Sequence, residues 1–226
     1  MSRIDNWESG LESEINYWRG EVDTHKGDPT KFDGSMEVNP HFRGVLVSAS
    51  ERLGKPLGRL KILDLGCGAN DCMGGTCNGE RLNITRADYL ADTYNQLLKE
   101  VGVDYKIEFA DMTNLKYKDK EFDVIHCGNA MDHCGDIHKA FQEITRVGKV
   151  VYTWHYRNVE TLAPAGQKGL HRWNIDHDGE SLVVWQPGGE RVVIEGYRAY
   201  EDDDHCPTTK VIGVNETGLY FNTNSC

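Results

Sequence analysis

The chain has 226 residues and a formal net charge of −11, with 38% apolar and 27% charged residues. This composition is globular, and the length suits one domain, so a disordered chain is excluded. No apolar stretch approaches the ~20 residues that cross a bilayer, and the N-terminus lacks the apolar centre of a signal peptide. The negative net charge argues against a protein that binds nucleic-acid phosphates. Seven scattered cysteines favour a reducing compartment. We therefore expect a cytoplasmic protein with one domain, 1–226.

The N-terminal segment, residues 5–22, has the pattern of an amphipathic helix. Its apolar residues recur three and four positions apart, which places them on one helical face. These residues are Trp7, Leu11, Ile15 and Trp18. The stretch after the helix is rich in glycine and proline and is typical of a loop. We expect residues 1–44 to form a cap of one helix and a loop.

Residues 45–155 alternate between predicted helices and apolar strands. A short helix that ends at Gly54 comes first, and five strands follow, in the apolar run 60–65 and in the segments LNITRAD, YKIEFAD, EFDVIHCGNA and KVVYTWHY. Strands separated by helices predict a parallel sheet that is covered on both faces, a Rossmann-like doubly wound α/β fold. The first crossover, ANDCMGGTCNGERLN, lacks apolar periodicity, so we expect a loop or short turn there in place of a helix.

The tail, residues 156–226, has a different pattern. Two alternating runs flank QPGGE in the segment ESLVVWQPGGERVVIEGYR, which predicts a β-hairpin. The segment TTKVIGVNETGLYFN can supply a further strand. The complete sheet is therefore predicted to be mixed, with parallel strands and an antiparallel C-terminal hairpin. We expect this tail to lie on the side of the acceptor substrate.

The glycines after the first strand, Gly66 and Gly68, allow a ligand to approach the backbone closely. A dinucleotide fingerprint needs a third glycine three residues later, but Asp71 occupies that position. Asp64, at the end of the strand, would repel a diphosphate and favour a cationic ligand. The glycines therefore predict a ligand other than NAD.

Acidic residues also follow the second and third strands. Asp88 ends NITRAD, and Asp111 ends KIEFAD and precedes Met112. Open α/β sheets bind ligands beyond the carboxyl ends of their strands, and an acid after the second strand is placed to bind ribose hydroxyls. Together with Asp64, these acids predict one ligand crevice.

The ordered segments ILDLGCG, ITRADYLAD, FADMTNL and FDVIHCGNAMDHCGDIHKAFQEITRVGKVVYTW resemble the motifs of class I S-adenosylmethionine-dependent methyltransferases. The resemblance covers roughly residues 45–155, and the regions around NAMDH and GLHRWN resemble a subset associated with sugars and glycans. It implies S-adenosylmethionine as methyl donor and S-adenosylhomocysteine as product. The cofactor-binding residues implied are Asp64, Gly66, Cys67 and Gly68 for the methionine part, Asp88 and Tyr89 for the ribose, Asp111 and Met112 for the adenine, and Asn129 after the fourth strand.

Methyl transfer from a sulfonium is an in-line displacement, and a hydroxyl acceptor also needs a base. His133 is the first candidate for that base because NAMDHC directly follows the fourth strand, and Asp132 is placed to orient it or to hold a substrate hydroxyl. His171 is the second candidate, and each histidine can equally be a structural residue. Trp154, His155 and Trp173 suggest an aromatic wall that suits sugar rings, although a strand tryptophan often belongs to the core.

No bound metal is expected from the sequence. The series Cys67, Cys72 and Cys77 lacks the paired spacing of structural zinc sites, and acidic runs such as DHDGE and EDDDH mostly mark solvated turns. The expected acceptor is a small molecule or a sugar, methylated on oxygen. Nucleic acid is not expected as the acceptor. Family members that methylate adenine or glutamine nitrogen have an Asn/Asp-Pro-Pro-aromatic segment after the fourth strand, and this chain lacks it. Methylation of cytosine C5 would need a proline before Cys127, and His126 occupies that position.

Two other functions remain open on the sequence. An NAD-linked oxidoreductase or sugar-nucleotide enzyme can use the same sheet, and a scaffold can bind the donor without transferring its methyl group. The sequence does not predict the oligomeric state.

Overall fold

The computed structural model describes residues 3–157 apart from 27, 29, 31, 33, 70–72 and 104, and also residues 171–202 and 210–215. Its four α-helices within these residues are α1 (Arg3–Thr24), α2 (Pro40–Leu53), α3 (Ala91–Glu100) and α4 (Ile137–Val147). None of the described helices is both long and apolar enough to cross a membrane.

Nine strands within the described residues form the main sheet. In chain order they are β1 (Lys61–Leu65), β4 (Asn83–Asp88), β5 (Ile107–Phe109), β6 (Phe122–Gly128), β7 (Gly148–Tyr156), β8 (Asn174–Asp178), β9 (Ser181–Trp185), β10 (Val192–Asp202) and β11 (Lys210–Asn215). A separate hairpin pairs β2 (Thr76–Cys77) with β3 (Glu80–Arg81). The predicted turn in place of a first crossover helix is thus a two-stranded hairpin over the described residues.

The sheet has the order β5-β4-β1-β6-β7-β11-β10-β9-β8. The first five strands in this order pair in parallel, and β11 joins β7 antiparallel. The Rossmann-like mixed sheet is therefore confirmed. The predicted hairpin corresponds to β9 and β10 and the predicted further strand to β11, and β8 adds one more antiparallel strand.

One addition is β8, which the sequence analysis did not predict as a strand. Its segment NIDHD carries four polar side chains, so it lacks an obvious apolar run. The strand is held by antiparallel pairing with β9 and by burial of Ile175, which is 0% exposed. Tertiary context decides the structure of such a short segment.

Helices cover both faces of the parallel strands because neighbouring residues of each strand point in opposite directions. On one face, Phe42 and Leu46 of α2 pack with Ile62 of β1 in one buried cluster. On the other face, Phe141 and Ile144 of α4 pack in a second cluster with strand residues such as Leu63 and Ile125. The continuous apolar burial of β1 and β6 follows from this two-sided cover.

The ends of α2 and α4 carry sequence-encoded caps. Asn39 accepts a hydrogen bond from the Phe42 backbone N–H, and Asp136 accepts one from Lys139 N–H. Gly54 ends α2 in the left-handed conformation. These caps fix where the chain enters β1 and where the segment after β6 becomes helical, which positions the loops described next.

Candidate functional site

The loop after β1 requires glycine at two positions. Gly66 and Gly68 have φ values of +69° and +65°, in the left-handed region that side chains disfavour. A Cβ on Gly66 would lie 2.4 Å from Ala130 Cβ, and one on Gly68 would lie 2.2 Å from the Trp18 ring. The loop is therefore packed between the segment after β6 and the helix α1.

Asp88, at the end of β4, is bonded to this loop. Its carboxylate accepts hydrogen bonds from Gly68 N–H at 3.1 Å and from Leu90 N–H at 2.8 Å. Burial raises the pKa of the Asp88 carboxyl to about 6, against these two donors, which lower it. The nearby charges of Glu14 and Asp64 add to the increase. The carboxylate predicted to bind ribose is thus tied to the glycine loop and partly protonated under mildly acidic conditions.

Asp64 does not face an open crevice as the sequence suggested. The residue is 3% exposed, and its Oδ1 lies 2.7 Å from Nδ1 of His126 on the neighbouring strand β6. The His126 ring is stacked against Tyr152 at 5.7 Å and packs against Phe42 at 4.8 Å. Asp64 therefore has a fixed partner from within the sheet, which the sequence analysis missed.

Asp111 lies two residues beyond the end of β5, and its Oδ1 accepts hydrogen bonds from the backbone N–H and the hydroxyl of Thr113 at 2.8 and 2.7 Å. Met112 reaches the glycine loop, since its Cε lies 3.8 Å from the Cβ position on Gly66. The rings of Tyr89 and Phe109 pack in a tilted arrangement with centroids 5.5 Å apart, and the two residues are 45% and 55% exposed. An apolar aromatic surface therefore borders the predicted adenine position.

Cys67, between the two glycines, is buried, and its Sγ lies 3.4 Å from the Gly68 carbonyl oxygen. Burial raises the pKa of its thiol well above the usual value, so it remains a neutral packing group. Cys77 is also buried, and Cys72 lies outside the described residues. Cys67 and Cys77 belong to different buried clusters.

The helix α1 covers the glycine loop through Trp18. The indole N–H donates to Glu14 Oε1 at 2.7 Å, and the ring packs edge-on against Tyr94 at 6.0 Å. Leu11 and Ile15, from the predicted apolar face, are half-buried. Trp7 has no described side chain. The helix thus contributes one wall beside Gly68.

Asn129 joins the end of β6 to β7. It has φ +49°, its backbone N–H donates to the Trp154 carbonyl at 2.7 Å, and its Oδ1 accepts from Tyr156 N–H at 3.4 Å. A non-glycine residue in the left-handed region is uncommon, and asparagine tolerates it best. This turn directs the chain from β6 past Gly66 into a 3₁₀ turn, Met131–His133.

The 3₁₀ turn and the segment before β8 bring three candidate residues together. Arg172 N–H and Trp173 N–H donate to the Asp132 carbonyl at 2.8 and 3.2 Å, and these bonds place His171 over the turn. His171 Nδ1 is hydrogen-bonded to Asp132 Oδ2. His133 Nε2 lies 3.2 Å from His171 Nδ1 and 3.6 Å from Asp132 Oδ2. The two histidines predicted as alternatives therefore form one cluster with Asp132.

Burial and neighbouring charges shift the pKa of Asp132 in opposite directions. Burial raises the pKa of Asp132, but the charge of His133 and the hydrogen bond from His171 outweigh it and hold the pKa at about 2. His155 of β7 is 1% exposed, and burial lowers its pKa to about 4. An ionised Asp132 thus lies beside three imidazoles.

The predicted aromatic wall is only partly formed by accessible residues. Trp173 is half-buried, and its indole N–H donates to the Cys134 carbonyl at 3.0 Å. Trp154 is half-buried against the core on the α2 side, and His155 is fully inside. Trp173 is the member of this set that lies near the cluster in the chain, two residues after His171.

Comparison with known proteins agrees with these features. A family model described as a methyltransferase domain matches residues 63–150. The sterol 24-C-methyltransferase of Aspergillus fumigatus is 25% identical over 120 residues, which cover 50% of this chain and 28% of the relative. The chain thus spans less than a third of the length of that curated relative.

Solved structures are also similar to this chain. A SAM-dependent methyltransferase of Aquifex aeolicus aligns with a TM-score of 0.43 at 12% identity, over 87% of this chain and 98% of that one. A Pyrococcus horikoshii protein aligns with a TM-score of 0.42 at 15% identity, over 85% and 98% of the two chains.

Proposed function

We propose that this chain, whose residues 63–150 match a methyltransferase-domain family model, is a class I S-adenosylmethionine-dependent methyltransferase that methylates a hydroxyl oxygen of a small molecule or sugar. The donor is S-adenosylmethionine, and the product is S-adenosylhomocysteine. The observation that carries the proposal is the contact between the glycine loop and the segment after β6. Gly66 packs against Ala130, and Asp132 follows two residues later. A donor held by the loop would therefore lie next to the cluster of Asp132, His133 and His171.

The cluster supports proton removal from a hydroxyl. When the Nδ1–H of His171 donates to Asp132, the Nε2 lone pair of that ring is available to accept a proton, and the carboxylate stabilises the imidazolium that results. The Nε2 atom of His133, in contrast, faces the other two members. We therefore propose His171 as the proton acceptor, ahead of His133, which was the first choice on sequence. Asp132 would orient His171.

Donor binding is proposed at the carboxyl edge of β1, β4 and β5. Gly66 and Gly68 leave the backbone accessible, Asp88 would accept hydrogen bonds from the ribose, and Met112 with the Tyr89–Phe109 pair would contact the adenine. Asp64 would act on the methionine part while held by His126. NAD is disfavoured because its diphosphate would face this group of carboxylates.

Two measurements test the proposal. Thermal shift should show stabilisation by S-adenosylmethionine and S-adenosylhomocysteine but not by NAD, by about 2.7 kcal/mol at a hundredfold excess over the dissociation constant. S-adenosylhomocysteine release is then measured with sugars, phenols and, in view of the fungal relative, a sterol.

His171→Ala should keep donor binding and lose most turnover, whereas His177→Ala should keep both, since His177 instead bonds Gly179 in the β8–β9 turn. Donor binding without turnover on any acceptor would make the chain a binding scaffold. Stabilisation by NAD alone would contradict the assignment of the donor.

A further inference from the structure

We propose that Asp132, His133 and His171 together bind one divalent transition-metal ion, such as zinc. Their ligand atoms, Asp132 Oδ2, His133 Nε2 and His171 Nδ1, all lie within 4.8 Å of one another. Binding of a metal ion at this cluster does not depend on the function proposed above, but a role of the ion in methyl transfer rests on that function.

The spacing of the three atoms resembles that of ligands around one ion. Ligands held about 2.1 Å from a zinc or iron ion lie roughly 3.0–3.4 Å from one another. The His133 and His171 nitrogens are 3.2 Å apart, and His133 Nε2 is 3.6 Å from the carboxylate oxygen. The third pair, His171 Nδ1 and Asp132 Oδ2, is in direct hydrogen-bond contact, so an ion would replace the proton between these atoms and side-chain rotations would separate them.

Hydrogen bonding alone leaves the cluster incompletely satisfied. Asp132 is 1% exposed, yet its Oδ1 has no hydrogen-bond partner among the described residues. His155 is also 1% exposed, neither of its ring nitrogens has a partner within the described chain, and it interacts electrostatically with Asp132 and His133. A buried carboxylate needs a counter-charge or several hydrogen bonds. A divalent cation would supply that charge.

The donor set indicates the class of metal. Two imidazoles and one carboxylate favour zinc, iron(II) or manganese(II) over magnesium or calcium, which prefer oxygen ligands. Three protein ligands also leave coordination positions open, as in catalytic sites, whereas structural zinc sites have four protein ligands. The side chains of His133 and His171 are 20% and 16% exposed, so one side of the cluster is accessible to a substrate.

An open position would bind the acceptor oxygen and lower the pKa of its proton. The proton passes to solvent, an oxygen lone pair forms the new O–C bond, and the methyl–sulfur bond breaks with its electron pair remaining on sulfur. No oxidant or reductant is needed. With the cation bound, His171 would be a metal ligand, and the metal would take its place in promoting deprotonation of the acceptor hydroxyl.

The test measures metal binding directly, on the full chain without an affinity tag. The protein is treated with EDTA, dialysed and titrated with zinc(II) by calorimetry and with cobalt(II) by visible absorption, in the absence of donor and acceptor. We expect one ion per chain, and a loss of affinity of roughly 10- to 100-fold or more in Asp132→Asn, His133→Ala and His171→Ala. His177→Ala is the matched control and should bind as the wild type does.

Each variant is first compared with the wild type by circular dichroism and by affinity for S-adenosylhomocysteine. If an alanine variant does not fold, the glutamine substitution His133→Gln or His171→Gln replaces it. No binding by the wild type, or equal binding by all four variants and the wild type, would overturn the site.

The role is tested separately from the site. Turnover that falls in EDTA-treated protein and returns with zinc or manganese would support the role of the metal. Full turnover by metal-free protein would overturn that role and leave the proposed methyl transfer intact. Metal binding without turnover on any hydroxyl acceptor would instead contradict the proposed function and leave the metal site standing.

Discussion

Donor binding should weaken sharply between pH 7 and pH 5 because Asp88 becomes protonated. Ribose hydroxyls donate their hydrogen bonds to the ionised carboxylate, and hydrogen bonds to a charged group are roughly twice as strong as neutral ones. The structure assigns the Asp88 carboxyl a pKa of about 6, raised by its burial. Proton binding and ribose binding therefore compete in a pH range where the fold can be studied.

The magnitude follows from this pKa. A carboxyl with a pKa of about 6 is ionised in roughly nine molecules of ten at pH 7 and in roughly one of ten at pH 5. If only the ionised form binds ribose well, the dissociation constant for S-adenosylhomocysteine should rise about tenfold over this range. An ordinary aspartate, with its pKa near 3.8, would give almost no change.

Calorimetric titration of S-adenosylhomocysteine at pH 5, 6 and 7 measures the effect, with Asp88→Asn as the control. The variant should bind weakly at every pH, and any slope that remains in it belongs to other groups. Equal affinities of the wild type at pH 5 and pH 7, or the same slope in both proteins, would refute the reasoning.

The ligand-free fold should respond to Asp88 with the opposite sign. A carboxyl whose pKa is raised on folding contributes stability below the unfolded pKa, and that contribution is lost as the pH rises through about 6. A rise of the Asp88 pKa from 3.8 to about 6 corresponds to roughly 3 kcal/mol of unfolding free energy. The wild type should therefore lose stability relative to Asp88→Asn between pH 4 and pH 7, as measured by urea unfolding.

Two further substitutions test the carboxyl edge of the sheet. Gly66→Ala places a Cβ 2.4 Å from Ala130 Cβ at a φ of +69°, so we expect it to abolish S-adenosylhomocysteine binding and to cost about 1–2 kcal/mol from the backbone alone. The double variant Gly66→Ala/Ala130→Gly should relieve the contact but keep the backbone cost. Calorimetry measures the effect on ligand binding, and urea unfolding measures the effect on stability. Wild-type affinity of Gly66→Ala for S-adenosylhomocysteine would contradict the packing. His126→Leu leaves the buried Asp64 carboxylate without its imidazole partner and should lower the free energy of unfolding by about 3 kcal/mol. Adding Asp64→Asn should restore part of that loss, and a loss below 1 kcal/mol in His126→Leu would show that the pair is not important for stability.

The parallel half of the fold was predictable because each strand and helix is encoded locally. The segments LNITRAD and EFDVIHCGNA were predicted as strands and contain β4 and β6, and Gly54 follows the end of α2 as its sequence predicts. The strand β8 was missed because its polar residues carry no such pattern, and only pairing with β9 makes it a strand.

The sequence predicted individual residues of the candidate site but not how these residues contact one another. The bond between Asp64 and His126 depends on the register of β1 against β6, which places the two residues opposite each other. The identity of neither residue predicts that register. The convergence of His171 on Asp132 depends on two backbone hydrogen bonds across a long chain separation. The sequence therefore suggested two competing histidines and no metal, whereas the structure joins them in one cluster.

The hydrogen bonds from Arg172 and Trp173 to the Asp132 carbonyl have a consequence for how such a protein diversifies. Apart from Asn129, the residues proposed to bind the methyl donor come from the chain up to Met112, whereas His171 and Trp173 follow β7. Substitutions in the latter segment can therefore remodel what is methylated and leave the donor's binding energy unchanged. Natural variation should accordingly concentrate after β7 when related chains acquire new acceptors.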